Sequence, residues 1–189
     1  MADIYQTPWP THDYEARIHL WNIGPRVINE HWFAKYFGTE KIKIPIEVGH
    51  ELMHFMHFHK WGQVFSEIES DQYDGNTIDW HLSEIIAGLI SAEPSIYRVL
   101  RPYNFEKSNF YNAYGVEQIG GESIGKYFSN LYFYQKEIKG ASMDEILTKM
   151  RQKAKKYWPI LEKCYPILKK KMIMPLRENI NLHNASTLC

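Results

Sequence analysis

The sequence predicts a mainly helical fold, or an α+β fold with a small sheet. Apolar residues recur at helical spacing through most of the chain, whereas only Glu15 to Trp21 and Lys41 to Ile44 alternate in a strand-like way. Glycine and proline clusters separate these stretches. At 189 residues the chain is expected to form one domain over 1–189, with room for two lobes, about 1–92 and a mostly helical 93–189.

In chain order, residues 1–13 carry Pro8 and Pro10 and read as an irregular arm, and Glu15 to Trp21 as a short strand or a helical turn. After Gly24-Pro25, the spacing of Val27, Ile28, Trp32, Phe33 and Tyr36 predicts a supporting helix over Arg26 to Phe37, ended by Gly38. Pro45 suits a first helical turn and Glu47 suits the positive end of the helix dipole, so a helix should run from there to about Lys60 or Gly62. Residues 63–79 are a polar connection with room for one hairpin, after which Thr77 or Asp79 can cap a helix. That helix has Leu82, Ile85, Ile86, Leu89 and Ile90 on a broad apolar face and lasts until Pro94. Asn and Gly residues break up 95–121. Two helices are then expected, Glu122 to Lys139 and Ser142 to Lys156, around Gly140, the second opened by a Ser142/Glu145 capping box. Beyond them lie short helical pieces around Pro159, Pro166 and Pro175, and a Lys169-Lys170-Lys171 run that reads as a solvated face.

Lys plus Arg and Asp plus Glu are both 22, so no global field recruits nucleic acid or an anionic membrane. No apolar window is long enough to cross a bilayer, and Met1 to Pro8 lacks the pattern of a secretory signal, so a cytoplasmic location is the expectation. Cys164 and Cys189 form neither a disulfide framework nor a metal-type spacing. Aromatic residues make up 15% of the chain, which argues for a large folded core or a groove.

Inside the helix that follows Pro45 stands His50-Glu51-Leu52-Met53-His54, an HExxH motif. Residues four apart share a helical face, so His50 and His54 can aim two imidazoles at one Zn²⁺ while Glu51 meets a water beside it. Composition alone gives roughly 0.04 accidental matches to this pattern. The apolar Leu52, Met53, Phe55 and Met56 would carry the motif into the core, where buried imidazoles and a carboxylate need partners.

A catalytic zinc takes a third protein ligand. The metzincin extension is excluded, because its glycine position is His57 and its third-histidine position Lys60. An acidic residue of the 67–74 stretch is available, but Glu84 is the better candidate. It is a carboxylate inside an apolar helix, followed by small Ala87 and Gly88 that let another helix approach. Here the chain resembles the gluzincin group of zinc metallopeptidases, and its Glu84-x-x-Ala87 looks like small prokaryotic zincins that pair HExxH with ExxA. Gly121 to Phe128 followed by Leu131-Tyr132 resembles the helix after the third ligand in that group. The likeness covers about 45–155 and implies a zincin-like fold in which the HExxH helix packs on a Glu-bearing helix.

The expectation is therefore a zinc-dependent peptidase with ligands His50, His54 and Glu84, general base Glu51, and a peptide or protein as substrate. Tyr111, Tyr114 and Tyr127 are open candidates for the oxyanion donor. His57 lies roughly 10 Å of helical rise from His50, far for one tetrahedral ion, and can instead back the ligands, hold a second metal or cover the helix end. His81, one turn before Glu84, is equally a helix-start residue or a neighbour of the site. Two rivals remain: a helical di-metal carboxylate protein built on Glu47-x-x-His50 and Glu51-x-x-His54, and a peptidase-like binding or regulatory module without activity.

Overall fold

A computed structural model of the chain describes residues 1–20, 25–68, 75–105, 114 and 117–166. Among them the fold is mainly helical with a small sheet, as the patterning predicts. After a single turn of helix, α1 (Ala2–Tyr5), the chain enters a three-stranded sheet of β1 (Glu15–His19), β2 (Arg26–Val27) and β3 (Trp32–Tyr36). Its order is β1-β3-β2, with β1 parallel to β3 (Glu15 opposite Trp32) and β2 antiparallel to it (Arg26 opposite Phe33).

The helix expected over Arg26 to Phe37 is thus a hairpin. Its apolar residues are β-branched or aromatic and suit a strand as well as a helix. The chain reverses at residues 28–31, where His31 N–H donates to Ile28 O at 3.3 Å and His31 takes a left-handed φ of 58°, which no continuous helix can contain. Lys41 to Ile44 is likewise no strand: 41–43 form turns, and Ile44 opens the long helix α2 (Ile44–Val64) with Pro45 in its first turn.

Next come α3 (Ile78–Ser91) and α4 (Pro94–Leu100). Thr77 rather than Asp79 caps α3, its Oγ1 accepting from Trp80 N–H at 3.1 Å. A two-residue hairpin joins β4 (Gln118–Ile119) to β5 (Glu122–Ser123) through Gly120 and Gly121, whose φ of 59° and 85° belong to the turn that matches strand twist. This hairpin takes Glu122 and Ser123, so the helix expected from Glu122 begins two residues later as α5 (Ile124–Phe133), capped by Ser123 Oγ, and ends in a π-helical turn at Tyr134–Ile138. α6 (Met143–Lys156) starts with the expected Ser142/Glu145 capping box, and α7 (Trp158–Leu161) follows. The Lys169 to Lys171 run, Cys189, Pro175 and any hairpin within 69–74 lie outside the described residues.

α2 is the centre of the core. Met53, Met56 and Trp61 are fully buried against Leu82, Ile85, Ile86, Leu89 and Ile90 of α3, and Leu147 and Met150 of α6 close the layer. One cluster runs from Tyr5 to Cys164, spanning both sides of residue 92. Ser91 Oγ donates to Ala87 O at 2.8 Å and reaches Met53 Sδ at 3.1 Å, marking the α2–α3 seam. No described helix is long and apolar enough to cross a membrane.

Arg151 ties α6 to the start of α3. Its Nε donates to buried Asp79 Oδ1 at 3.0 Å, and its guanidinium lies 4.8 Å over the Phe65 ring. Arg151→Ala would leave Asp79 buried and half-compensated, and should cost about 2–4 kcal/mol. Ser142→Ala should cost about 1 kcal/mol through the lost cap. Urea midpoints with unchanged m-values check both, and a shift for Arg151→Ala no larger than that of Ser142→Ala would contradict the assignment.

Candidate metal centre

The site forms where α2 crosses α3. His50 and His54 project from one face of α2, with their Nε2 atoms 2.9 Å apart. From the middle of α3, Glu84 brings Oε2 to 3.4 Å from His50 Nε2 and Oε1 to 3.3 Å from His54 Nε2. Among the described residues these three are the group of His, Cys, Asp and Glu side chains close enough to share a metal ion, with donor atoms within 4.8 Å of one another.

The donor set fits zinc. Zinc–ligand distances of about 2.0–2.1 Å make the edge of a coordination tetrahedron about 3.3 Å. Glu84 offers a different oxygen to each histidine at about this length, Oε2 to His50 and Oε1 to His54, and the shorter His–His contact needs only a slight opening. Burial holds the His54 imidazole down at about 4, against the opposing pull of Glu84, so it is neutral and can ligate at ordinary pH. Burial would raise the Glu84 carboxyl, but His54 and His50 hold it well below the usual range and keep it ionised. His54 is fully buried and Glu84 19% exposed, whereas the His50 side chain is 38% exposed, so the cluster opens to solvent on the His50 side.

Glu51 turns a different way. Its Oε2 accepts from Arg26 Nη1 at 2.7 Å and its Oε1 from Lys35 Nζ at 2.9 Å, so β2 and β3 each place a cation on it. Burial pushes this carboxyl up, yet the surrounding positive charges, Arg26 first, outweigh it and hold it at about 2. Arg26 Nη2 also stands 3.9 Å from Glu84 Oε1, and Lys35 Nζ 3.7 Å from Glu47 Oε2. Counting carboxylates, lysine and arginine alone, Glu47, Glu51 and Glu84 against Arg26 and Lys35 leave one net negative charge in this linked group, which favours a bound cation.

Sequence reasoning missed Arg26 and Lys35, because both lie in the segment taken for a helix. A signal existed: Phe33 and Lys35 alternate onto one strand face, and that face meets α2, through Phe55 at a ring distance of 6.3 Å and through Glu51.

The other candidates fall elsewhere. Glu47 faces Lys35 and Thr39 and does not join the cluster. Glu67 lies 3.6 Å from Arg151, while 69–74 is outside the described residues. His57 is buried between Tyr5 and Trp61, with no hydrogen-bond partner on either ring nitrogen. His81, one turn before Glu84 on α3 and near enough to feel its charge, is buried, its Nε2 donating to Asn76 Oδ1 at 3.0 Å and its Nδ1 accepting from Tyr114 O–H at 3.1 Å. That bond commits Tyr114 to the core. Tyr127 packs edge-on against Tyr157, and Tyr111 lies outside the described residues.

Comparison of the chain with protein-family models, with curated proteins and with solved structures returned no match.

Burial holds His54 and His81 at about 4 and His57 well below 6.5 in the folded chain. Each takes a proton on unfolding below its ordinary value of about 6.5, so the metal-free protein should be most stable above that pH. Stability should fall as pH drops from about 6.5 toward 4, by about 1–2 kcal/mol per histidine at pH 5. A second loss follows between the ordinary carboxyl range and about 2, where Glu51 protonates. Urea unfolding at pH 7.5 and 5.0 checks the sign; equal midpoints would contradict it.

Proposed function

We propose that the chain is a zinc-dependent hydrolase acting on peptide bonds, with His50, His54 and Glu84 as the metal ligands. The observation that carries the proposal is the convergence of two imidazoles from one helix and a carboxylate from its neighbour, at zinc-like separations and with one side open. A zinc ion held there supplies Lewis acidity, lowering the pKa of a water toward about 7 and polarising a carbonyl.

The chain's own residues divide the remaining work. His54, fully buried and stacked on Phe58 at 6.2 Å, is the rigid ligand; half-exposed His50 stands at the mouth. Glu51, on the same turn of α2 as His50, is the general base: it takes the proton of the attacking water and returns it to the leaving amine. Its resting ion pairs with Arg26 and Lys35 keep it charged, and Oε2 must leave Arg26 for the proton to arrive.

That double ion pair is also what favours a second reading, a metal-holding domain without hydrolysis. A carboxylate held at about 2 is a weak base at neutral pH, and general-base catalysis works best when the base titrates near the working pH. In that reading Glu51 braces the sheet on α2 while the same three ligands hold the metal.

Purified chain should bind one zinc ion, and His54→Ala and Glu84→Gln should each abolish tight binding, as followed by elemental analysis and calorimetry. Glu51→Gln should keep the zinc while cleavage of a mixed-peptide library falls about 10²–10⁴-fold. Zinc bound by the wild type with no cleavage in any pool selects the second reading. Undiminished zinc binding by Glu84→Gln would reject the ligand set itself.

A further inference from the structure

We propose that Arg26 is a catalytic residue of this reaction, the donor that takes up negative charge developing on the carbonyl oxygen of the scissile bond; the inference rests on the hydrolase reading. Peptide hydrolysis needs such a donor, and of the two described tyrosine candidates Tyr114, though near enough to Glu84 to feel its charge, is buried with its hydroxyl bonded to His81, while Tyr127 packs on Tyr157. The Arg26 guanidinium instead lies against both the base and a ligand. Nη1 is 2.7 Å from Glu51 Oε2, and Nη2 is 3.9 Å from Glu84 Oε1, beyond hydrogen-bond length. The side chain is only 14% exposed, and its Cζ is 5.8 Å from the centre of the Phe58 ring, the same ring that stacks on His54. Lys35 is placed differently, reaching Glu51 and Glu47 and not Glu84.

This placement gives the guanidinium fork two positions. At rest it holds Glu51 Oε2. When a peptide carbonyl arrives, the fork turns its N–H groups onto the carbonyl oxygen, and Oε2 is released while Lys35 keeps Oε1. Water oxygen then bonds to the carbonyl carbon, its proton passes to Glu51, and the C=O electron pair moves onto the oxygen facing Arg26. Collapse breaks the C–N bond, and the amine leaves with the proton from Glu51. A planar fork suits this exchange, because one face of it can serve a carboxylate or an oxyanion alike.

The test uses the full chain loaded with zinc, as wild type, Arg26→Met and Arg26→Lys, each also combined with Glu51→Gln. The readouts are kcat and KM on a peptide the wild type cleaves, affinity for a phosphinic peptide that mimics the tetrahedral oxyanion, and zinc affinity by chelator competition. Arg26→Met should lower kcat about 10²–10³-fold and weaken the phosphinic peptide by a similar factor. Its KM should stay within about threefold, and zinc should bind as well or tighter. Arg26→Lys should recover part of both losses and keeps the test open should Arg26→Met fail to fold. In the Glu51→Gln background Arg26→Met should still weaken the phosphinic peptide. If that weakening disappears there, Arg26 acts only by positioning Glu51 and the proposal is overturned. It is equally overturned if Arg26→Met binds the phosphinic peptide as the wild type does. A wild type that holds zinc yet neither cleaves peptides nor binds the phosphinic peptide overturns the hydrolase reading, and this inference with it.

Discussion

Everything at the centre of this molecule depends on α2 running through the core rather than over it. A helix that buries Met53, Met56 and Trp61 must also bury what alternates with them, and those residues are His54, His57 and Glu51. Desolvating such groups is costly unless each is neutral, paired or bound to an ion. The fold answers differently at each position. His57 is simply neutral, Glu51 receives two cations, and His54 meets the Glu84 carboxylate across the seam. Two helices in close contact thus turn a packing requirement into a cluster of donors.

The small sheet has its meaning in the same setting. Three short strands with an exposed outer edge, β1, contribute little core beyond Phe33 and Ala34. Their main effect is to carry Arg26 and Lys35 onto α2, so that both cations hold Glu51 and Arg26 also stands 3.9 Å from Glu84. Cation and carboxylate are mutually dependent there. Without the sheet, Glu51 would be a buried charge with no counterion, and without Glu51 the partly buried Arg26 and Lys35 would lose the carboxylate they share.

Legibility in the sequence followed the range of the interaction responsible. The Ser142/Glu145 box and the Thr77 cap involve residues three apart, so local order suffices to form them; the box stands where the pattern put it, and the cap is one of the two residues the pattern offered. The hairpin at 26–36 depended on a left-handed residue, His31, which no periodicity announces, and on pairing with β1, which lies before it. A window of Val, Ile, Trp, Phe and Tyr satisfies the apolar stripe of a helix and the faces of a strand alike, and only the partner strand chooses between them. Gly120-Gly121 shortened the next helix for a similar reason: a tight turn captured Glu122 and Ser123 for a strand pair.

By itself the sequence determined what one helix can present: His50 and His54 on a shared face, because 3.6 residues per turn align positions four apart, and Glu84 amid apolar neighbours, because a carboxylate there must find a partner. The tertiary structure alone decided the partners. It chose Arg26 and Lys35 for Glu51, both histidines for Glu84, and His81 for the buried Tyr114 hydroxyl. Spacing along a helix is a property of the backbone and survives in the linear text. Which charged groups converge from separate elements is set by how strands and helices pack, and no local pattern encodes it.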